Sequence, residues 1–269
     1  MKIYRFRFKK NVYWGILKQE YVYPVKDSIF RSIETGEKGI PLAEIHLLPP
    51  VDPGKIVCIG RNYKKHAEER GSKLPREPLI FLKPPSAVIG PGQAIVYPEM
   101  AGRVDYEGEL ALVIKKPTRL LNENDDVYER ILGYTCFNDV TARDLQDRDG
   151  QWTRAKSFDT FAAMGPCIAT DLDPGRIRLK TFLNGKLRQS GNTSRFIFPI
   201  PVLIRYISQV MTLNPGDVIS TGTPSGIGPV QPGDRVDVQI DGIGTLSNPV
   251  ASAGYDERSG ADADIKPGG

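Results

Sequence analysis

The sequence DYEGELALVI, residues 105–114, decides how the central part of this chain folds. Its last five residues are all apolar, and such a short continuous run is typical of a strand that is covered on both faces. Side chains alternate between the two faces of a strand, so Glu107 and Glu109 lie on the same face with their Cα atoms about 7 Å apart. Two carboxylates beside a buried strand repel each other unless a cation neutralises them. The alternatives are therefore a metal site and a solvent-exposed acidic edge strand.

A third carboxylate, Asp139, follows the apolar segment 131–137 and precedes a helical pattern at 140–147. The commonest role of an aspartate at such a position is to cap the N-terminus of the helix. Together with Glu107 and Glu109, it would instead supply three hard oxygen ligands and no sulfur, which favours Mg²⁺ or Mn²⁺. Roughly three of the six octahedral positions would then remain for water and substrate, which suggests catalysis.

A histidine, a glutamate and a lysine are further candidates for chemistry. Only two histidines occur, so a metal centre built from several histidines is excluded. His66 and Glu69 lie three residues apart and share one side of a helix, where the carboxylate can fix the imidazole tautomer. The other ring nitrogen could then take a proton from water, whereas a solvated surface helix is the alternative. Lys156 precedes an apolar segment at 161–166, where it could stabilise an oxyanion or extend from a strand edge to solvent.

A glycine-rich segment, STGTPSGIG at residues 220–228, follows another predicted strand. Such a loop exposes backbone N–H groups and hydroxyls to an anion. It lacks the GK[ST] ending of a P-loop and the glycine spacing of a dinucleotide-binding loop. A carboxylate-binding loop and a plain β-turn remain as interpretations.

The remaining sequence contains short strand patterns and few helices. Alternating residues at 1–25 predict a small β module, and three prolines and a glycine at 47–54 predict a boundary near residue 52. Further strands are predicted at 55–59, 79–83, 107–114, 131–137, 218–221 and 235–240, and helices at 62–70, 140–147 and 201–210. We therefore expect a β-rich α+β fold with a small N-terminal β domain at 1–52, a catalytic domain at 53–250 and a flexible polar tail at 251–269.

Composition narrows the class of protein. The chain has 269 residues, 40% hydrophobic and 25% charged, as is usual for globular domains. Its net charge of +4 is spread thinly, which argues against nucleic acid as a partner. No apolar run approaches the roughly 20 residues of a membrane span, and the N-terminus lacks the apolar region of a secretory signal, so we expect a cytoplasmic protein. Cys58, Cys136 and Cys167 are widely spaced, which predicts buried free thiols.

Five motifs, taken in order, resemble those of the fumarylacetoacetate hydrolase family over residues 55–250: GRNYKKHAEE, DYEGELALVI, NDVTARDLQ, AKSFDTF and STGTPSGIG. The resemblance implies the family's mixed β-roll, commonly as a homodimer. It also implies a Mg²⁺ or Mn²⁺ ion on three carboxylates and a water-activating dyad on a mobile lid. The residues that match the family's functional positions are Glu107, Glu109 and Asp139 for the metal, His66 and Glu69 for the dyad, Lys156 at the substrate oxygens, Arg143 and Gln146 near the substrate, and Thr223 at its carboxylate.

The residues and the resemblance together predict a metal-dependent enzyme that acts on a small 2-oxo acid. The expected reaction is hydrolysis of a carbon–carbon bond in an acylpyruvate through a pyruvate enolate, which the ion and Lys156 would stabilise. Decarboxylation of oxaloacetate and isomerisation or decarboxylation of 2-hydroxyhepta-2,4-diene-1,7-dioate share this kind of enolate and stay open. A metal-dependent binder of small acids without turnover is the alternative from another class. The charged segment 68–78 is expected to be a lid that becomes ordered when a 2-oxo acid binds.

Overall fold

Residues 1–71 and 73–254 are described by the computed structural model, and most of the regular secondary structure in this part of the chain consists of short strands. The strands are β1 (Lys2–Phe8), β2 (Asn11–Lys18), β3 (Tyr21–Pro24), β4 (Ile40–Pro41), β5 (His46–Leu47), β6 (Ile56–Gly60), β7 (Leu79–Lys83), β8 (Val88–Ile89), β9 (Ile95–Val96), β10 (Val104–Tyr106), β11 (Gly108–Ile114), β12 (Ile131–Asp139), β13 (Thr141–Ala142), β14 (Ala162–Ala169), β15 (Arg178–Leu183), β16 (Lys186–Asn192), β17 (Val218–Ser220), β18 (Gly228–Pro229), β19 (Arg235–Ile240) and β20 (Gly244–Ala251). The α-helices are α1 (Lys64–Glu69), α2 (Arg143–Asp149), α3 (Thr153–Lys156) and α4 (Ile200–Val210). Of the predicted tail, residues 255–269 lie outside the described part.

A 12-stranded sheet forms the centre of the fold. Its order is β4-β3-β2-β1-β14-β12-β11-β17-β6-β7, with β5 beside β1 and β8 beside β14. Two further sheets have the orders β13-β10-β18 and β16-β15-β19-β20-β9. β17 pairs with β6 in parallel, whereas β11 pairs with both of its neighbours in antiparallel fashion. The large sheet is therefore mixed, and the β-rich fold with few helices is confirmed.

β11 lies in the middle of this sheet, between β12 and β17, and all seven of its residues are buried. Its alternate side chains pack into two separate apolar clusters, with Leu110 and Leu112 in one and Ala111 and Val113 in the other. A strand that is covered on both faces needs apolar residues at every position, which explains the continuous apolar run. The prediction of a strand buried on both faces is confirmed.

The N-terminal strands continue the large sheet. β1 pairs with β2 along its length and with β14 at Lys2 and Ile3. Ile3 and Phe6 are fully buried and belong to the two apolar clusters that also contain residues of β11. The N-terminal strands thus share their core with the rest of the chain, and the domain boundary near residue 52 stays a prediction.

Each of the six predicted strands is present, with ends within two residues of those expected. The helices differ more, because α1 begins only at Lys64 and the helix predicted at 140–147 begins only at Arg143. In the second case, β12 continues to Asp139 and β13 follows directly. Asp139 is therefore the last residue of a strand, and its interpretation as a helix cap is wrong.

The three cysteines are free and buried, as predicted. The longest α-helix of the described chain, α4, has 11 residues. Nowhere in residues 1–71 and 73–254 does a helix reach the length and apolarity that crossing a bilayer requires.

Candidate active site

The predicted site residues converge on one cleft. Eight of the nine line it directly: His66, Glu107, Glu109, Asp139, Arg143, Gln146, Lys156 and Thr223. The ninth, Glu69, is hydrogen-bonded to His66. These side chains come from five separate segments of the sequence. The fold therefore brings the whole set together, whereas the roles of its members stay predictions.

The carboxylates of Glu107, Glu109 and Asp139 form a buried cluster, in which one oxygen of each lies within 4.8 Å of the others. Glu109 lies two residues before Ala111 on β11, and Asp139 lies two residues after Phe137 on β12. Side chains two residues apart in a strand share a face, and Ala111 and Phe137 pack in the same apolar cluster, so both carboxylates lie on that face of the sheet. The backbone N–H of Asp139 donates to the carbonyl of Glu107 at 2.9 Å and holds the third carboxylate beside them. None is more than 5% exposed, so the alternative of a solvent-exposed acidic edge strand is wrong.

Arg143 and Lys156 neutralise Glu107. Arg143, at the start of α2, donates to Asp105 Oδ2 at 2.9 Å, to Gln146 Oε1 at 2.5 Å and to Glu107 Oε1. Lys156 Nζ lies 3.0 Å from Glu107 Oε2. Burial alone would raise the pKa of Glu107, but the positive charges of Lys156 and Arg143 outweigh burial and hold this pKa well below its usual range. Glu107 is therefore ionised at neutral pH.

Glu109 is hydrogen-bonded only by uncharged donors in the described part of the chain. Its Oε2 accepts from the Ser220 hydroxyl and from the N–H of Gly222, the latter at 2.7 Å. Burial, and then the negative charges of Asp139 and Glu107, raise the pKa of Glu109 well above its usual value. A divalent cation held by the three carboxylates would remove this penalty. All the available ligand atoms are oxygens, so the residues fit Mg²⁺ or Mn²⁺.

Two lysines hold Asp139, one at each carboxylate oxygen. Lys83 Nζ lies 2.5 Å from Oδ1, and Lys156 Nζ lies 2.6 Å from Oδ2. Lys156 also donates to Glu107 and, at 2.7 Å, to the Thr141 hydroxyl, so that protein oxygens engage all three of its N–H groups. It is buried rather than extended to solvent, and its contact with substrate oxygens stays a prediction. Sequence analysis missed Lys83, whose only signal is a lysine that ends an otherwise apolar strand.

His66 and Glu69 lie on one side of α1, as their spacing predicts, with His66 Nδ1 3.1 Å from Glu69 Oε2. The His66 side chain is only 7% exposed, so the alternative of a solvated surface histidine is wrong. The other oxygen of Glu69 accepts a hydrogen bond from the N–H of Gly226 at 2.9 Å. Burial lowers the pKa of His66, although the charges of Glu107 and Glu69 oppose this. The ring is therefore neutral at pH 7, and Nε2 is the nitrogen left for another partner.

The loop that follows β17 is tied to the acidic motif. Thr223 Oγ1 donates to the carbonyl of Gly108 and accepts from Gln189 Nε2, both at 2.8 Å, while Gln189 Oε1 accepts from the N–H of Gly108 at 2.9 Å. Gly222 has a φ of 95°, and a Cβ there would lie 2.7 Å from that of Asn62, so this turn requires glycine. Sequence analysis missed Gln189, because a single glutamine in a mostly exposed strand carries no pattern. The contact of Thr223 with a substrate carboxylate stays a prediction.

Two family profiles match the chain: fumarylacetoacetate (FAA) hydrolase C-terminal at residues 55–251 and Rv2993c-like, N-terminal at residues 1–50. The chain is 45% identical over 233 residues to oxaloacetate tautomerase YisK of Bacillus subtilis (strain 168), which covers 81% of this chain and 77% of that protein. The crystal structure of 5-carboxymethyl-2-hydroxymuconate delta-isomerase from Mycobacterium smegmatis has a TM-score of 0.88 and 42% identity, covering 94% of this chain and all of that one. The structure of 2-hydroxyhepta-2,4-diene-1,7-dioate isomerase from Mycobacterium marinum also has a TM-score of 0.88, with 41% identity over 95% of this chain and all of that one. Every residue that lines the cleft lies within the first of the two matched regions.

Proposed function

From the premise that this chain belongs to the fumarylacetoacetate hydrolase family, we propose that it is a divalent-metal-dependent enzyme that cleaves a carbon–carbon bond in acylpyruvate-type 2-oxo acids. The observation that carries the proposal is the convergence in one cleft of the carboxylate cluster and the His66–Glu69 dyad. A general base beside the metal ligands serves turnover, and binding alone has no need of it. An enzyme is therefore favoured over a metal-dependent binder of small acids.

The buried charges of the cleft fit a metal ion and an anionic substrate. Four buried carboxylates and three buried cations lie at or beside the cleft: Asp105, Glu107, Glu109 and Asp139 with Lys83, Arg143 and Lys156. With all seven ionised, these buried groups carry one net negative charge, the half-exposed Arg103 that also pairs with Asp105 being left out of the count, and a divalent cation changes this to one net positive charge. Such a positive site attracts the carboxylate of a 2-oxo acid. Mg²⁺ or Mn²⁺ on Glu107, Glu109 and Asp139 would supply Lewis acidity toward the substrate carboxylate and its 2-oxo oxygen.

His66 carries out the proton transfers in the proposed hydrolysis. With Nδ1 held by Glu69, Nε2 takes a proton from the water molecule whose oxygen adds to the C4 carbonyl of the substrate. The bond between C3 and C4 then breaks, its electron pair stays on the pyruvate enolate, and C3 takes the proton back. The products are pyruvate and a carboxylic acid. Lys156 and Arg143 place positive charge beside the developing enolate, an effect worth several kcal/mol in preorganised sites.

A second candidate reaction uses the same residues without water. The named relatives are an oxaloacetate tautomerase and two isomerases, which favours a proton shift between the keto and enol forms of a 2-oxo acid or along a hydroxydienoate. His66 would then remove a proton from one atom of the substrate and return it to another. Decarboxylation of oxaloacetate is a further outcome of the same enolate.

Steady-state assays on a small panel separate these reactions. The purified protein is supplied with Mg²⁺ or Mn²⁺ and tested on acetylpyruvate, on oxaloacetate and on a 2-hydroxydienoate, while enol absorbance, pyruvate and carbon dioxide are followed. Hydrolysis gives pyruvate and a carboxylic acid, decarboxylation gives pyruvate and carbon dioxide, and tautomerisation or isomerisation changes absorbance without either product. EDTA should stop the reaction. Stabilisation by the acids against heat, without any product, would identify a binder and contradict the proposal.

We also propose that the protein is a homodimer. Size-exclusion chromatography with light scattering should give about twice the 29.8 kDa mass of the chain. The mass of a single chain under the assay conditions would contradict this part of the proposal.

A further inference from the structure

Arg61 lies in the same cleft as the carboxylate cluster but has no part in the reaction described above. Its side chain is half-buried, and its guanidinium carbon lies over the Trp152 ring, 5.9 Å from the ring centre. A guanidinium placed over an indole keeps the N–H groups at its edge available for an acceptor. The cleft thus contains a cation on an aromatic platform.

Arg61 differs from the other cations of the cleft in its partners. Each of the others is paired with a protein carboxylate: Arg143 with Asp105 and Glu107, Lys156 with Glu107 and Asp139, and Arg70 with Asp147. Within residues 1–71 and 73–254, the Arg61 side chain forms no ion pair and no hydrogen bond. Burial, and then the positive charges of Arg70 and Arg143, lower its pKa, although the negative charges of Glu107 and Asp147 oppose this. A guanidinium with no directly paired carboxylate, on which repulsion by two other guanidiniums and burial outweigh the more distant acids, favours an incoming anion.

The backbone around Arg61 is held in place by neighbouring segments. Its φ is 60°, in the left-handed region that residues other than glycine rarely adopt. The adjacent Asn62 side chain accepts from the N–H of Phe198 at 2.7 Å and donates to the carbonyls of Phe198 and Thr221 at 3.1 and 2.9 Å. Strained residues that the surrounding structure holds in this way are concentrated at binding sites. The position of Arg61 is therefore set by the fold before any ligand arrives.

The aromatic platform is fixed as well. The rings of Trp152 and Phe81 meet edge to face, with their centres 5.2 Å apart and their planes at 73°. A Cβ at Gly60 would lie 2.7 Å from the Trp152 ring, so glycine is needed there for the ring to pack. Gly60, which makes room for the Trp152 ring, directly precedes Arg61, whose guanidinium lies over that ring. Both parts of the site are thus preorganised, which reduces the entropy lost on binding.

We propose that Arg61 binds a second carboxylate of the substrate and so makes the site selective for 2-oxo diacids over 2-oxo monoacids. The inference rests on the proposed function, because that function assigns the 2-oxo end of the substrate to the carboxylate cluster. At that end Arg143 and Lys156 are already engaged by protein carboxylates. Arg61 is left for a carboxylate at the other end of the substrate, where its fork can form two parallel hydrogen bonds. In this arrangement Arg61 is a specificity-determining residue.

Two 2-oxo acids of equal length, 2-oxoglutarate and 2-oxopentanoate, test this selectivity by binding alone. They differ only in a terminal carboxylate against a terminal methyl group. Isothermal titration calorimetry of the Mg²⁺-loaded wild-type protein should show 2-oxoglutarate binding about 10- to 100-fold more tightly, as expected for charge-assisted hydrogen bonds. Equal affinities, or a failure of 2-oxoglutarate to bind, would overturn the proposal without any variant.

Substitutions then assign the selectivity to Arg61. Arg61→Met keeps the aliphatic stem and should lose about 10- to 100-fold in affinity for 2-oxoglutarate, with 2-oxopentanoate unchanged. Arg61→Lys should lie between the two, because it keeps the charge without the fork. Arg119→Met, at an exposed position outside the cleft, is the matched control and should change neither affinity. Equal weakening of both acids by Arg61→Met would indicate a structural role and overturn the proposal.

The binding measurement also separates this inference from the proposed function. Selectivity for the diacid can hold in a protein that turns over none of the panel substrates, in which case only the proposed function fails. Turnover without selectivity would leave the proposed function intact and remove Arg61 from substrate recognition.

Discussion

The carboxylate of Glu109 is buried beside two other carboxylates and receives hydrogen bonds only from a hydroxyl and a backbone N–H in the described structure. Its neighbours Glu107 and Asp139 have lysine or arginine partners instead. This difference makes Glu109 the ligand whose charge depends most on a bound cation. The metal-free and metal-bound proteins should therefore respond differently to pH.

Glu109→Gln tests this dependence in the presence of EDTA. The pKa of Glu109 in the folded protein is raised above the unfolded value of about 4.3. Its contribution to stability is therefore present below about pH 4.3 and is lost as the pH rises through the folded pKa. The variant cannot lose this contribution, so above about pH 5 its free energy of unfolding should exceed that of the wild-type protein.

Urea unfolding at several pH values measures the effect. With Mg²⁺ in excess the order should reverse, because the wild-type protein gains the binding energy of the ion and the variant lacks one ligand. Parallel pH dependences of the two metal-free proteins would contradict this account of Glu109.

His66→Ala tests the general base. Removing the imidazole should abolish measurable hydrolysis, a loss of about 10²- to 10⁴-fold in kcat, because the attacking water then loses its general base. Affinity for Mn²⁺ should stay within about twofold, since His66 is not among the carboxylate ligands. Lys65→Ala, on the exposed side of the same helix, serves as the control. Unchanged turnover by the His66 variant would remove it from the mechanism.

At the scale of elements, α1 depends on its contacts with other segments. Six residues are too few for a helix to be stable alone. Tyr63, just before the helix, forms a β-bridge with Phe196, and Glu69 at its end accepts from the N–H of Gly226. The dyad is therefore positioned by a segment that follows β16 and by the loop that follows β17.

Hydrogen exchange tests whether this region acts as a lid. We expect residues 62–78 to exchange at least about tenfold more slowly when Mg²⁺ and oxalate are bound, because a bound acid favours the closed arrangement. The amides of α4, which lie in the apolar core, should not change and provide the internal reference. Equal protection of 62–78 in the free and bound proteins would refute the lid.

At the scale of the whole molecule, the N-terminal strands belong to the same sheet as the site. Deleting residues 1–52 would expose the edge of β14 and remove Ile3 and Phe6 from the two apolar clusters. We expect the remaining chain to aggregate or to unfold at a clearly lower urea concentration, since each fully buried side chain of this size contributes about 1.5–3 kcal/mol. Native-like stability of the shortened protein would show that residues 53–269 fold as an independent domain.

Much of the site could be predicted from local sequence. Helical spacing places Glu69 beside His66, because this relation depends only on the geometry of a single element. Strand alternation predicts that Glu107 and Glu109 are neighbours, and their carboxylates are, although Glu107 lies between β10 and β11 rather than within one strand. The order of the five motifs assigns Asp139 to the same metal site as the two glutamates. Its position next to them results from strand pairing. That residue was ambiguous from local sequence alone, since an aspartate before a helix resembles a cap.

Periodicity and residue chemistry are local properties, so the residues alone predict the N-terminal β module, six further strands, the buried character of β11 and the acidic residues that could share an ion. Other strands, among them β14, β15, β16 and β20, were not predicted. Which cations compensate those acids follows from the packing of the whole fold. Lys83 reaches Asp139 across 56 residues of sequence, and Gln189 reaches Gly108 across 81. Such contacts depend on the order in which strands and loops pack against one another. No local pattern encodes that order, because it results from the burial of apolar side chains over the whole fold.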